Sequence, residues 1–329
     1  MRVSQGTQEP SASEPYIVDL GRVDPAELDD LWQREASLWR ERLYWDVPGS
    51  PAALWRALKS GSIQGKAVRV ESRLVGYAYS HIISGQRGVI SAFVIAPQWG
   101  HTRVGDTLLH ALLTELHRFG LPRFECPSVS FDAPWLEAIF ARQGFCAYGR
   151  EFLRVDLNGV TEIDTAPTAV ELEPWPDRRR GAELGEAAVL MQAAYSGGID
   201  AEISELYRTP GGCRMVLQNL MSQHLGGRFV AAASALARHQ GQLIGFTVMT
   251  EIAPQQGHLA QIVVLPQYQG QGVGQALLRY GQARLIDHKF RTLSLIVSQA
   301  NYPALKLYQA MGFQSVLTFP VFTWERPPA

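Results

Sequence analysis

The chain repeats itself, and that constrains its fold more than any other feature. Val75–Leu109 aligns with Ile244–Leu278 at a fixed offset of 169, without a gap, and eleven of 35 positions are identical. Random pairing at average composition gives about two. LVGYAYS (74–80) matches LIGFTVM (243–249), and FVIAPQW (93–99) matches IVVLPQY (262–268). Further on, FARQGF (140–145) matches YQAMGF (308–313) at an offset of 168. Three blocks in the same order identify a tandem duplication. The 329 residues supply two domains of ordinary size, each long enough to bury a core. We read 1–15 as a disordered polar tail, 16–157 as the first domain, 158–167 as a linker and 168–329 as the second domain.

Composition removes several function classes. Thirty Lys and Arg stand against 31 Asp and Glu, a net charge of −1, which argues against a nucleic-acid partner. Three cysteines (Cys126, Cys146, Cys213) are too few and too scattered for a disulfide framework or a metal cluster; buried thiols and no metal are expected. No run reaches the ~18 apolar residues of a membrane span. The opening MRVSQGTQEPSASEP has no apolar core, so it does not read as a signal peptide. The expectation is a cytoplasmic protein with no membrane partner.

Each half reads as the same series of elements, an α/β (α+β) pattern with a mixed, mostly antiparallel sheet flanked by helices. Helical stretches come first, over about 25–59, with Asp24 as N-cap and Pro25 opening the helix, and over about 181–225. Hairpins follow, Ala67–Glu71 with Leu74–Ile83 and Phe229–Ala237 with Leu243–Ile252. A longer strand, Val89–Ala96 or His258–Leu265, ends at a proline and feeds a glycine-containing loop and an amphipathic helix. In the second half a strand (Leu293–Ser298), a short helix (Pro303–Met311) and a last strand (Ser315–Trp324) close the series.

The chemistry sits in Ile262-Val263-Val264-Leu265-Pro266-Gln267-Tyr268-Gln269-Gly270-Gln271-Gly272-Val273-Gly274-Gln275. A strand runs into a glycine-rich turn that opens a helix. Such a turn offers consecutive backbone N–H groups at the positive end of a helix dipole, a site for an anion such as a diphosphate. It is not a P-loop, because Gly274 is followed by Gln275-Ala276 rather than by Lys and Ser or Thr. A dinucleotide fingerprint would need glycine where Gln275 stands.

Gln269-Gly270-Gln271-Gly272-Val273-Gly274 resembles the [RQ]-x-x-G-x-[GA] acyl-CoA signature of the GNAT N-acetyltransferase superfamily. Asn301-Tyr302-Pro303-Ala304-Leu305-Lys306-Leu307-Tyr308-Gln309-Ala310-Met311-Gly312-Phe313 resembles the N-x-x-A-x-x-L-Y-x-x-x-G-F block of the same superfamily. The resemblance covers 168–329 and, more faintly, 16–157, and implies two tandem GNAT folds. It implies acetyl-CoA as co-substrate and a small-molecule or peptide amine as acceptor. It further implies pantetheine contacts from Ile262, Val263, Val264 and Asn301, diphosphate contacts from Gln269, Gly270, Gln271, Gly272, Val273, Gly274 and Gln275, and Tyr308 as general acid toward the departing thiolate. The structural alternatives are a core tyrosine at 308 and a helix N-cap at 301.

At the same offset the first half places Gly100, His101, Thr102 and Arg103 where the second has Gln269 to Gly272, and Phe140 where the second has Tyr308. Asn301 falls opposite Ala133 or Asp132. We expect the first half to be catalytically silent; CoA binding, completion of the acceptor cleft and a role as internal partner within a monomer stay open for it. Glu251 and His258 are candidate bases, each more simply a strand end. Trp32, Trp39, Tyr44, Trp45 and Trp55 read as an acceptor wall or as helix packing. Asp200, Glu202 and Glu205 read as an acidic lip for a cationic amine or as a solvated helix face. Two further functions stay open: acetylation of a thiol-bearing amino sugar, since the chain also resembles the tandem mycothiol synthases, and a non-catalytic acyl-CoA sensor.

Overall fold

The computed structural model describes residues 14–46, 51–83, 87–127, 133–158, 170–176, 181–222 and 226–327. The expected tail and linker lie almost wholly outside these residues. The described residues of Met1–Ala36, Gly49–Ala147 and Pro320–Ala329 form one compact unit, and those of Ser37–Pro48 and Tyr148–Phe319 form another.

The first unit begins with β1 (Tyr16–Asp19) and α1 (Pro25–Leu38). The Asp24 carboxylate accepts from the Ala26 N–H at 3.0 Å, and Glu27 accepts from the Asp24 N–H at 3.3 Å, a reciprocal cap that explains where the helix starts. The helical pattern does not run unbroken to Lys59. A π-helical turn over Trp39–Leu43 ends at Tyr44 in the left-handed region, and α2 (Pro51–Lys59) is separate. Then come β2 (Gln64–Val70), β3 (Arg73–Ile83), β4 (Arg87–Ile95), α3 (Val104–His117), β5 (Arg123–Cys126) and α4 (Leu136–Arg142). The strands lie in the order β1-β2-β3-β4-β5, antiparallel except for the β4/β5 pair. Leu108, Leu109, Leu112, Leu113 and Leu116 of α3 are buried against Val68, Phe93 and Phe124 of this sheet.

The second unit contains β6 (Cys146–Asp156) from Tyr148 onward, β7 (Glu171–Pro174), α5 (Gly181–Tyr195), α6 (Ile199–Ile203) and α7 (Pro210–Met221). It continues through β8 (Arg228–Phe229), β9 (Ala235–His239), β10 (Gln242–Ala253), β11 (Gln256–Val264), α8 (Val273–Asp287), β12 (Thr292–Ser298) and α9 (Tyr302–Ala310) into β13 (Gln314–Glu325). Its order is β6-β12-β11-β10-β9-β7, with β11 and β12 parallel. The strand expected over Phe229–Ala237 is broken by a 3-10 turn at Ala231–Ala233. There the Ser234 hydroxyl donates to the Val230 carbonyl and accepts from the Met249 N–H, doing the work of the missing ladder.

Duplication is visible in the register itself. Gly76↔Ile95 in β3/β4 recurs as Gly245↔Val264 in β10/β11. The parallel pairs Arg87↔Arg123, Gly88↔Phe124 and Val89↔Glu125 recur as Gln256↔Thr292, Gly257↔Leu293 and His258↔Ser294. The compact units nevertheless cut across the division at 157/168 that the repeat suggests. β6 closes the first repeat in the chain, yet it pairs with β12 from Thr292↔Asp156 to Ser298↔Arg150. Conversely, Phe322–Glu325 of β13 pair with β5 in the first unit. There Phe322 stacks on Phe140 at 4.1 Å and Trp324 on Phe124 at 4.8 Å. A strand belongs to the unit that satisfies its backbone and buries its face, whatever its place in the chain.

Candidate active site

The central feature of the second unit is an opening in its sheet. Between β10 and β11 the register slips, with Met249↔Leu259 followed by Val248↔Gln261, so Ala260 is bulged out. On the other side of β11, parallel pairing with β12 stops at Leu259↔Leu295. Residues 260–264 of β11 and 296–298 of β12 therefore face a gap. Leu265 donates its N–H to the Ile244 carbonyl at 2.9 Å, which fixes the alternation along the strand. Val263 turns its backbone groups toward β10, while Ile262 and Val264 turn theirs into the gap. This corrects the expectation for Val263: its side chain is buried and its backbone is spent on the ladder.

The gap ends at the glycine turn. Gly270 (φ 74°) and Gly272 (φ 83°) both occupy the left-handed region that glycine tolerates, and a Cβ at Gly270 would meet nothing within 4 Å. Gln269 and Gln271 fold back, donating from Nε2 to the Val264 carbonyl at 3.0 Å and the Gln267 carbonyl at 2.8 Å. They shape the loop rather than project from it. Val273 is buried and anchors the first turn of α8, whose N-cap, Gly272, makes no side-chain cap. A Cβ on Gly274 would touch Leu307 of α9 at 3.4 Å, so the turn and α9 are packed together. Gln275 is half-buried in that first turn. Uncapped N–H groups at a helix start are an anion site.

α9 carries the other motif. Asn301 is its N-cap, accepting from the Ala304 N–H through Oδ1 at 3.3 Å, which leaves the amide NH₂ for another partner. Tyr308 is 5% exposed and lies beside Phe313, at 5.8 Å between ring centroids. Burial, and then the charge of Asp200, push its phenol above the ordinary tyrosine range.

A polar cluster stands on the opposite face of the sheet. Tyr195 of α5 donates to Gln261 Oε1 at 2.8 Å, and Gln261 Nε2 donates to the Tyr207 hydroxyl at 3.1 Å. Asp200 Oδ1 accepts from Arg150 at 2.5 Å and from Ser298 at 2.9 Å. The negative charge of Asp200 raises the phenols of Tyr195, Tyr207 and Tyr308 alike, each also raised, and more strongly, by burial. Tyr308 packs with α8 and α9, and Tyr195 with α5 and α7, on the other side of β11. Of this cluster, sequence reasoning reached only Asp200.

Both candidate bases are already engaged. His258 is 5% exposed, its ring 4.7 Å from Trp45 and its Nδ1 3.0 Å from the Ser294 hydroxyl; burial pulls its pKa down to about 3. Glu251 pairs with Arg228 and accepts from the Gln255 N–H at 3.0 Å, closing a turn. The tryptophans of the aromatic run serve packing, whereas Tyr44 is exposed beneath the Arg154 guanidinium. Trp32 and Trp55 join the first unit's core, and Trp39 meets Trp45 edge-on at 5.5 Å in the second. Cys126 and Cys213 are buried, but Cys146 is exposed. No cluster of metal-ligating side chains occurs among the described residues, and none of their helices is long and apolar enough to cross a membrane.

The first unit keeps the bulge, slipping at Tyr79/Ser80, and β4/β5 pairing also stops after three positions. Its turn differs. Gly100 is αR with φ −60°, and a Cβ there would fall 2.2 Å from Trp135 Nε1, so the indole lies on the turn. The Val104 N–H at the start of α3 is taken by Thr102 Oγ1 at 3.3 Å. Phe140 is fully buried.

An acetyltransferase (GNAT) family profile matches residues 204–313. The second half of this chain carries a GNAT acetyltransferase domain. Relatives of the GNAT domain include a mycothiol acetyltransferase of Thermomonospora curvata, 35% identical over 98 residues, or 30% of this chain and 33% of that protein. That match spans about a third of the relative's length. A mycothiol acetyltransferase of Acidothermus cellulolyticus is 27% identical over 265 residues, 74% of each chain. Two solved structures share the fold across both halves. One is a GCN5-related N-acetyltransferase from Sphaerobacter thermophilus (TM-score 0.67, 13% identity, 96% of this chain and 97% of that one). The other is a tandem GNAT protein from the clavulanic acid biosynthesis pathway (TM-score 0.63, 17% identity, 96% and 100%).

Proposed function

We propose that the second unit transfers an acetyl group from acetyl-CoA to a primary amine by direct attack while both are bound. The observation that carries this reading is the β11/β12 gap running into an uncapped helix N-terminus. The outward N–H and C=O of Ile262 and the N–H of Val264 offer the pantetheine amides the bonds an added strand would make. The Asn301 NH₂ adds one more donor. Gly270 to Gln275 receive the diphosphate on backbone N–H groups, where no Cβ at 270 or 272 holds it off. In the reaction the amine nitrogen bonds to the acyl carbon and the carbon–sulfur bond breaks. Tyr308, kept protonated by burial, gives its proton to the leaving thiolate, whose thiol has an ordinary pKa of about 8.5. The amine's proton goes to water, since Glu251 and His258 are committed elsewhere, and the Tyr308 phenolate takes a proton back from water to close the cycle.

Calorimetry on the full chain tests this: one acetyl-CoA bound per chain, abolished by Gly272→Glu, is expected. No binding to the unmodified chain overturns the reading. A mycothiol-acetyltransferase-like acceptor is the second reading, supported by the likeness over 74% of each chain.

A further inference from the structure

The polar cluster on the α5 face has no member among the residues assigned above to acetyl-CoA. Its members come from separate segments: Arg150 on β6, Tyr195 on α5, Asp200 on α6, Tyr207 in the following 3-10 turn, Gln261 on β11 and Ser298 at the end of β12. Gln261 and Ser298 lie on the two strands that diverge, so the cluster spans the open mouth of the gap.

We propose that Asp200 receives the nitrogen of the acceptor, and that the acceptor is therefore a cationic primary amine. This rests on the acetyl-transfer reading above. Asp200 Oδ1 is clamped by Arg150 and Ser298, which removes the rotational freedom a surface carboxylate would have to lose on binding. Its Oδ2 has no protein partner among the described residues, and the side chain retains 15% exposure. Tyr195 and Tyr207 are joined through Gln261 in the same cluster but are held neutral by burial, so the negative charge the cluster offers an ammonium comes from Asp200. Because Arg150 already balances that charge, the carboxylate can accept an N–H from the ammonium and go on accepting one after deprotonation, without trapping the charged form.

The test measures CoA-thiol release by the full chain at saturating acetyl-CoA, with spermidine, glucosamine and a lysine-containing peptide as probes. At least one is acetylated, and Asp200→Asn raises its KM by about tenfold or more while acetyl-CoA affinity stays within about twofold. Asp200→Glu recovers part of the loss. If Asp200→Asn loses acetyl-CoA binding as well, Ser298→Ala decides. It keeps the ion pair but frees the carboxylate, so the amine KM must rise there while acetyl-CoA affinity holds. An unchanged amine KM in the deciding variant overturns the proposal. So does an unmodified chain that binds acetyl-CoA but acetylates none of the probes, an outcome that spares the acetyl-CoA reading. Failure to bind acetyl-CoA at all overturns both.

Discussion

Two buried titratable side chains serve opposite ends. Tyr308 lies where burial and Asp200 keep its phenol protonated, as a proton donor requires. Tyr308→Phe should lower kcat by at least about 10²-fold with acetyl-CoA affinity unchanged, in steady-state and calorimetric measurements. Unchanged turnover would leave the phenol a packing group and open the sensor reading. His258 is clamped between Trp45 and Ser294 and held neutral down to about pH 3. Between that value and the ordinary 6.5 the unfolded chain binds a proton that the folded chain refuses. Stability is thus present in full above pH 6.5 and falls on acidification, by up to about 1.4 kcal/mol per pH unit. His258→Gln should flatten this acid limb in denaturant titrations; an equally steep limb would mean that other groups set it.

At the scale of elements, the β-strand, glycine turn and helix of the second half were legible because each has a local signature. A strand ends at Pro266, glycines follow at 270, 272 and 274, and helical periodicity begins. The Asp24 cap was legible for the same reason. The acceptor-side cluster was not. Its bonds join residues 50, 98 and 148 positions apart, and no periodicity encodes such a meeting. The break at Ala231–Ala233 was hidden inside a nearly continuous apolar run from Phe229 to Ala237, and it is the Ser234 hydroxyl that makes the turn workable. His258 read as an accessible strand end because nothing nearby in sequence announces Trp45. The two glycine turns give a direct comparison. Gly272→Ala forces a left-handed alanine, costing about 1–2 kcal/mol, and should weaken acetyl-CoA binding. Arg103→Ala should change the affinity little, because Trp135 and Thr102 already occupy that turn. A large loss from Arg103→Ala would instead make the first unit a binding site.

For the whole molecule, the repeat gave the number of folds, and the pairing of β6 and β13 gave their limits. Residues 168–329 alone lack β6 and would leave β12 without its partner from Thr292 to Ser298. Removing 320–329 strips the first unit of Phe322, Trp324 and the Arg123–Glu325 ion pair. Loss of Phe322 alone is worth about 3–5 kcal/mol. A chain ending at 319 should lose the first unit's cooperative unfolding transition, followed by denaturant and fluorescence; a retained transition would show the terminal strand to be dispensable.

Such borrowing of β6 has an evolutionary reading. A duplicated gene normally discards the copy that stops working. In this protein the first repeat owns a strand without which the second is left with a raw edge, so selection on a catalytic second repeat would also shelter the first. Change in the first repeat's glycine turn would then be tolerated, but not loss of the frame that carries residues 148–156.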